Sequence, residues 1–117
     1  MRTIKREIGD HGEEQARRYL AKKGYRIVAS NYTTRSGEID IVAMQRNILV
    51  FVEVKTRKND HFCSAREAVT KSKQGKIFLT AKEFVAENKI DYKEIRFDVI
   101  EYYTQTQTIE HYVDAFG

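Results

Sequence analysis

The chain contains Gly37-Glu38-Ile39-Asp40-Ile41-Val42-Ala43 and, after a short polar link, Ile48-Leu49-Val50-Phe51-Val52-Glu53-Val54-Lys55, and this stretch decides the fold. Both halves are rich in β-branched residues, a composition typical of strands. The link Gln45-Arg46-Asn47 is short and polar enough for a hairpin turn. We therefore predict two antiparallel strands joined by a tight turn.

The turn determines which residues face each other across the hairpin. With a two-residue loop at 46–47, Asp40 falls opposite Glu53 and Glu38 falls opposite Lys55. All four charged side chains then lie on one face, at the open end of the hairpin. The same face continues towards the turn with apolar residues: Val42, Met44, Leu49 and Phe51.

Opposed carboxylates are unfavourable for folding alone. Two of them about 5 Å apart repel by roughly 3 kcal/mol at an effective dielectric near 20, and like charges facing across a ladder destabilise it. Because Mg²⁺ binds one or two carboxylates and keeps several waters, the hairpin is a predicted site for Mg²⁺ or Mn²⁺. The alternative is that one carboxylate is protonated, or that Glu38, Lys55 and Arg57 neutralise the pair without a metal.

Length and composition limit the class of protein. A chain of 117 residues with 41% hydrophobic and 32% charged residues suits one globular domain, residues 1–117. No apolar run approaches membrane-spanning length and the N-terminus lacks the apolar core of a secretory signal, so we expect a cytoplasmic protein that does not engage a membrane. The single Cys63 cannot form an internal disulfide, and the three histidines lack zinc-ligand spacing.

The charge distribution suggests a nucleic-acid partner. The net charge is +4, and basic residues concentrate around and after the hairpin, where they suit contacts to the phosphates of DNA. The candidates for these contacts are Arg35, Arg57, Lys58, Lys71, Lys73 and Lys76. An ordinary solvated surface is the alternative for a charge excess of this size.

The first segment, from Ile4 or Gly9 to Lys23, is predicted to be a helix ended by Gly24. At 100° per residue Glu13 lies at the edge of its inward stripe, whereas Glu14 points to solvent. Glu13 can also be explained as the third position of a capping box that begins at Asp10. The inward stripe is Gly9, Gly12, Ala16, Tyr19 and Leu20, and the two glycines favour close approach to the sheet.

The remaining elements give the order α-β-β-β-α-β-β. A first strand is predicted at 25–32, a helical region from the capping box at 64–67 to Glu87, and further strands at 95–100 and 109–113. A crossover through the second helix makes the fourth strand parallel to the third. The inward face of that helix is predicted to contain Leu79, Ala81, Phe84 and Val85. The sequence thus predicts an α/β domain with a mixed central sheet flanked by helices.

Asp40 followed on the next strand by Glu53-Val54-Lys55 resembles the site motif of the PD-(D/E)xK nuclease superfamily. This chain has no proline, so the first letter of that motif is absent. The resemblance implies a restriction-endonuclease-like αβββαβ core and metal-dependent cleavage of DNA.

A closer resemblance covers nearly the whole chain and is to the YraN-like family of bacterial proteins. It is carried by Gly12-Glu13, Ala16, Leu20, Gly24-Tyr25, Asn31-Tyr32, residues 37–43 and 51–57, Val69, Ser72-Lys73-Gln74, residues 96–99 and Asp114-Ala115-Phe116.

The site itself resembles that of archaeal Holliday junction resolvases. This resemblance implies a catalytic set of Glu13, Asp40, Glu53 and Lys55, with Glu38 and Gln74 as accessories. The implied metal ligands are Asp40, Glu53, Glu13 and the carbonyl of Val54. It further implies a homodimeric endonuclease that acts on branched or structured DNA in repair or recombination.

Two other functions remain open at this point. One is a non-catalytic module that binds nucleic acid or a protein partner on the same fold. The other is a structural or assembly factor that binds neither DNA nor metal.

Overall fold

The computed structural model describes residues 4–58 and 69–117, with side chains from residue 7 onward. The elements are α1 (Ile4–Lys22), β1 (Arg26–Thr34), β2 (Gly37–Gln45), β3 (Ile48–Arg57), α2 (Lys71–Glu87), β4 (Glu94–Tyr103) and β5 (Thr108–Phe116). The predicted order of elements is confirmed. The predicted helix start at 64–67 and Cys63 lie outside the described residues.

The five strands form one sheet in the order β1-β2-β3-β4-β5. β3 and β4 are parallel, and the other neighbouring pairs are antiparallel. A parallel pair needs a crossover connection, and α2 lies in the connection between β3 and β4. The αβββαβ core with a mixed sheet is therefore confirmed, and β5 extends it by one strand.

Within the described residues, each face of the sheet is covered by one helix. On one face, Ala16 and Leu20 of α1 are fully buried against Ile41, Ala43, Val50, Val52 and Ile100. On the other face, the buried residues Ile77, Ala81 and Phe84 of α2 pack on Ile39, Val42, Met44, Leu49, Phe51 and Val99. Strands β2 and β3 contribute to both clusters, so they are the centre of the domain.

The inward face of α2 differs from the prediction at one position. Ile77, Ala81 and Phe84 lie at positions i, i+4 and i+7 and so share one stripe, which leaves Leu79 on the other side with 56% of its surface exposed. Leu79 lines an outer apolar groove of about 510 Å³. No helix in the described part of the chain is long and apolar enough to cross a membrane.

A buried polar network joins β5 to the body of the sheet. Arg96 donates two hydrogen bonds to the fully buried Asp98, and His111 Nε2 lies 2.7 Å from Asp98 Oδ2. The backbone N–H of Asp114 donates to the same carboxylate at 3.0 Å. Burial raises the pKa of Asp98, but the bonds from His111 and Arg96 outweigh it and hold that pKa below its ordinary value.

Only one of the two predicted glycines brings α1 close to the sheet. A Cβ on Gly12 would lie 2.2 Å from Thr56 Oγ1 and 3.6 Å from the ring of Tyr102, so only glycine fits without a shift. A Cβ on Gly9 would meet none of the described residues within 4 Å, so the prediction that Gly9 allows a close approach is wrong.

Alanine at these two positions gives opposite effects on stability. Gly12→Ala should lower the free energy of unfolding by about 1–3 kcal/mol, because the new methyl group must displace Thr56. Gly9→Ala, the matched control in the same helix, should raise it by up to about 1 kcal/mol through helix propensity. Urea unfolding of both variants measures this difference, and equal stabilities would contradict the close approach at Gly12.

Candidate active site

The candidate site lies where β2 and β3 separate. Pairing follows the predicted register from Gln45 opposite Ile48 to Ile41 opposite Val52. Beyond Ile41 and Val52, each strand continues its pairing with its outer neighbour. The open end of the hairpin is therefore a gap between two strands, into which side chains can project.

This separation overturns one predicted contact. Glu38 pairs with Thr33 of β1, and Lys55 pairs with Glu101 of β4. The prediction that Glu38 lies opposite Lys55 is therefore wrong. The two residues belong to different sides of the gap.

Asp40 and Glu53 meet inside the gap. Both are largely buried, with 9% and 6% of their surfaces exposed, and their carboxyl groups are hydrogen-bonded to each other. The other contact of Asp40 is to the main chain: its Oδ2 accepts the backbone N–H of Val54 at 2.8 Å. The side chain of one strand thus takes a hydrogen bond from the backbone of the next.

The electrostatics of this pair favour one shared proton in the absence of a cation. Burial, the charge of Asp40 and the hydrogen bond between the two carboxyl groups together raise the pKa of Glu53 to about 8. The positive charges of Lys73 and Lys55 act in the opposite direction. The Lys73 ammonium lies 3.9 Å from Glu53 Oε1. The raised pKa of Glu53 favours the alternative in which one carboxyl group is protonated when no metal is bound.

The alternation of β2 breaks at the same place. Ile39 packs on the α2 face together with Val42, whereas Ile41 packs on the α1 face. Residues on one face of a regular strand are separated by an even number of positions. Ile39 and Val42 are three positions apart, so the strand is irregular between them. Glu38, next to Ile39, accordingly points to the α1 side, so the prediction that all four charged residues share one face is wrong for Glu38.

A second pair of carboxylates forms on the α1 side. The amide of Asn31 lies between them, and with its nitrogen towards them it donates to Glu13 Oε1 at 2.8 Å and to Glu38 Oε1 at 3.1 Å. Burial first, then the charges of Asp40 and Glu38, raise the pKa of Glu13. The four acids thus form two adjoining pairs, with Asp40 acting electrostatically on both Glu53 and Glu13.

Glu13 reaches this position from the middle of α1. Its neighbour Glu14 points to solvent and pairs with Arg18 at 2.9 Å. The capping-box alternative is wrong because α1 already begins at Ile4, so Asp10 lies inside the helix. Next to Glu13 a cavity of about 500 Å³ is lined by Glu7, Asp10, His11, Glu13, Glu14, Arg17 and Asn31.

Two of the other predicted residues are held within the protein. Gln74 Nε2 donates to the carbonyl of Val69 at 2.9 Å, which secures the start of α2. Arg57 Nε donates to the fully buried Glu101 at 2.8 Å. The remaining predicted DNA contacts, Arg35, Lys58, Lys71 and Lys76, are exposed.

Sequence reasoning missed Asn31 and Glu101 as partners of site residues. Asn31 has a left-handed backbone with φ +52°, and an asparagine inside a predicted strand is a signal for such an irregularity. Glu101 lies between Ile100 and Tyr102 on a strand that is buried throughout its second half. No pattern in the sequence connects it to Arg57.

The donor set suits a hard cation that retains water. Among the described residues no three side chains of His, Cys, Asp or Glu converge as a ready-made metal cage. Asp40 and Glu53 supply two oxygen ligands, and Mg²⁺ commonly takes one or two carboxylates and completes its octahedron with water and phosphate oxygens. The residues present therefore fit Mg²⁺ or Mn²⁺ better than an ion that needs a full set of protein ligands.

Residues 12–102 match the model of a family described as Uncharacterised protein family UPF0102. The chain belongs to this family. A UPF0102 protein of Vibrio parahaemolyticus is 48% identical over 100 residues, which cover 82% of this chain and 80% of the relative. A UPF0102 protein of Caldanaerobacter subterraneus is 39% identical over 117 residues, which cover 96% of each. These matches confirm the resemblance to the YraN-like family found in the sequence.

Two solved structures show distant likenesses. An FdxN element excision controlling factor protein from Anabaena variabilis matches with a TM-score of 0.48 at 14% identity, over 89% of this chain and 98% of its own. An XisH family protein from Nostoc punctiforme matches with a TM-score of 0.42 at 10% identity, over 87% and 98%. Neither likeness is strong enough to transfer a function.

The strain in the Asp40–Glu53 pair should be visible in the pH dependence of stability. Since the pKa of Glu53 is about 8 in the folded protein against an ordinary 4.5, the folded state retains a proton that the unfolded chain releases. The free energy of unfolding in EDTA should therefore fall as pH rises from about 4.5 towards about 8, and then level off. Urea unfolding across this pH range measures the profile.

Glu53→Gln should remove the fall in the free energy of unfolding with rising pH. The metal-free variant should be more stable than the unaltered protein by about 1–3 kcal/mol at pH 8. Glu14→Gln, at an exposed acid of α1, is the control and should leave the profile unchanged. A flat profile for the unaltered protein, or no gain from Glu53→Gln, would contradict the strained pair.

Proposed function

We propose that this chain is a metal-dependent endonuclease that hydrolyses phosphodiester bonds in DNA. The observation that supports it best is the buried, hydrogen-bonded pair of Asp40 and Glu53 in the gap between β2 and β3. Packing does not require two carboxyl groups there, and burying them side by side raises the pKa of Glu53. A divalent cation in place of the shared proton would remove the strain.

Asp40 and Glu53 would hold the Mg²⁺ or Mn²⁺ ion, with Glu13 and the carbonyl of Val54 as further donors. Bound there, the ion would lower the pKa of a water molecule and neutralise charge on the scissile phosphate. Asp40 is fixed for this task by the backbone N–H of Val54 at 2.8 Å. A carboxylate held by the main chain retains its orientation when the site changes charge.

Lys55 is the proposed group that acts on the attacking water or on the developing oxyanion. It lies two residues after Glu53 on β3, and its charge lowers the pKa of Glu53. The side chain is half-buried, a position from which an ammonium can donate to substrate oxygens. Lys73, 3.9 Å from Glu53 Oε1, adds positive charge on the α2 side.

The charges around the site would direct the DNA backbone to the α2 side. The α1 side has the acidic cavity next to Glu13, which repels phosphates. The first turns of α2 are basic and border the site, since a Cβ on Gly37 at the start of β2 would lie 3.4 Å from Lys76 Cβ. The proposed phosphate contacts are Arg35, Lys58, Lys71, Lys73 and Lys76. Arg57 is a weaker candidate because Glu101 engages it.

A preference for branched or structured DNA, and a homodimer, remain proposals that rest on the resemblance to the resolvases. One fold serves many substrates. A panel of linear, flapped and four-way DNA substrates in Mg²⁺, Mn²⁺ and EDTA would identify the substrate.

One observation favours a second candidate, a module that binds nucleic acid without cutting it. The exposed Lys71 and Lys76 in the first turns of α2 can hold phosphates electrostatically without any metal ion. Such a module would bind DNA equally well in Mg²⁺ and EDTA and would yield no products.

Removing the metal ligand should abolish cleavage and preserve the fold. Asp40→Asn should reduce the Mg²⁺-dependent rate about 100-fold or more, because the amide cannot balance a divalent charge. Lys55→Ala should have a similar effect on the rate. DNA affinity, measured by fluorescence anisotropy in EDTA, should change little in both variants.

Asp91→Asn, in the exposed segment before β4, is the matched control and should cleave like the unaltered protein. Full Mg²⁺-dependent activity in highly purified Asp40→Asn protein would reject the assigned site.

The approach of DNA over α2 can be tested by salt dependence. Lys71→Ala and Lys76→Ala should each weaken binding at low salt and reduce the slope of log affinity against log salt by about 0.9. Lys89→Ala, an exposed lysine beyond the other end of α2, should leave the slope unchanged. Equal effects of all three substitutions would indicate non-specific attraction by net charge.

A further inference from the structure

Asn31 has an unusual place in the fold for a strand residue. Its neighbours Ser30 and Tyr32 pair with Ile41 and Ile39 of β2, so Asn31 lies across from Asp40. Its backbone φ is +52°, a conformation that asparagine tolerates better than most residues. The left-handed kink coincides with the break in the alternation of β2, and it presents the side chain of Asn31 to the site.

The amide of Asn31 connects two acids that belong to different elements. One N–H donates to Glu13 of α1 and the other to Glu38 of β2, at 2.8 Å and 3.1 Å. Hydrogen bonds to ionised carboxylates are stronger than those between neutral groups. Without them the two carboxylates would face each other beside Asp40, a third acid whose charge already raises the pKa of Glu13.

We propose that Asn31 is a positioning residue whose amide takes the place of a second cation between Glu13 and Glu38. It holds Glu13 beside the Asp40–Glu53 pair, where Glu13 can serve as a further donor to the one divalent ion bound there. The ion itself rests on the proposed function, whereas the link between Asn31 and the two acids can be measured without any metal. Each chain should therefore take up one divalent ion and not two.

The metal count tests this directly. Equilibrium dialysis with Mn²⁺, followed by elemental analysis, should give one ion per chain for the unaltered protein. Asn31→Asp keeps the size and tolerates the left-handed backbone, but it replaces two donors by a third carboxylate. This variant should bind two ions per chain, and two ions in the unaltered protein, or one in both proteins, would overturn the proposal.

A metal-free measurement decides the role of Asn31 even if no ion binds. In EDTA, Asn31→Gly should lower Tm more in the unaltered protein than in the Glu13→Ala/Glu38→Ala background, by about 3–6 °C. The backbone change is the same in both backgrounds, so the difference reports only the link to the two acids. Equal shifts in the two backgrounds would overturn the proposal.

Gln107→Gly is the matched control for the backbone, since Gln107 has φ +55° in the exposed turn before β5. Gln107→Gly should leave the number of bound Mn²⁺ ions unchanged. It should also shift Tm by the same amount in the unaltered protein and in the Glu13→Ala/Glu38→Ala background. The two proposals fail separately: no Mn²⁺ bound and no cleavage would reject the endonuclease, while a Tm difference would still support the link made by Asn31.

Discussion

The hydrogen bond from the backbone N–H of Val54 to the carboxylate of Asp40 is the contact on which the site depends. At that point a side chain of β2 accepts a hydrogen bond from the main chain of β3, and the two central strands separate. The separation opens a gap in the middle of a sheet that is otherwise covered by a helix on each face. Glu53 enters the gap from β3, and its burial beside Asp40 raises its pKa. The gap between β2 and β3 thus forms although both strands continue past it.

Much of the architecture follows from local sequence features. The two-residue turn at 46–47 fixes the register of the hairpin, because the loop length determines which residues face each other. The sequence of elements and the parallel β3–β4 pair follow from the connection through α2. These predictions depend on short-range geometry, which the side-chain pattern encodes directly, and the structure confirms them. The meeting of Asp40 and Glu53 follows from the same register.

The arrangement around that pair could not be predicted, because it depends on departures from regular geometry. Strict alternation places Glu38 with Asp40, but the left-handed residue Asn31 and the break in β2 turn Glu38 towards α1. The exposure of Leu79 has a different origin, because regular helix periodicity already places it away from the stripe of Ile77, Ala81 and Phe84. The buried partner of Arg57 is Glu101 on the neighbouring strand β4, which is far away in the sequence. Such contacts between elements leave no signal in a single sequence.

The close seating of α1 at Gly12 has a consequence for the acid that follows it. With no Cβ at that position, the helix axis can descend until its backbone almost touches Thr56. The carboxyl group of Glu13 thereby comes within hydrogen-bond reach of Asn31 on β1. Gly12 has no chemistry of its own, but its missing side chain determines how deeply the next residue of the helix can enter the site.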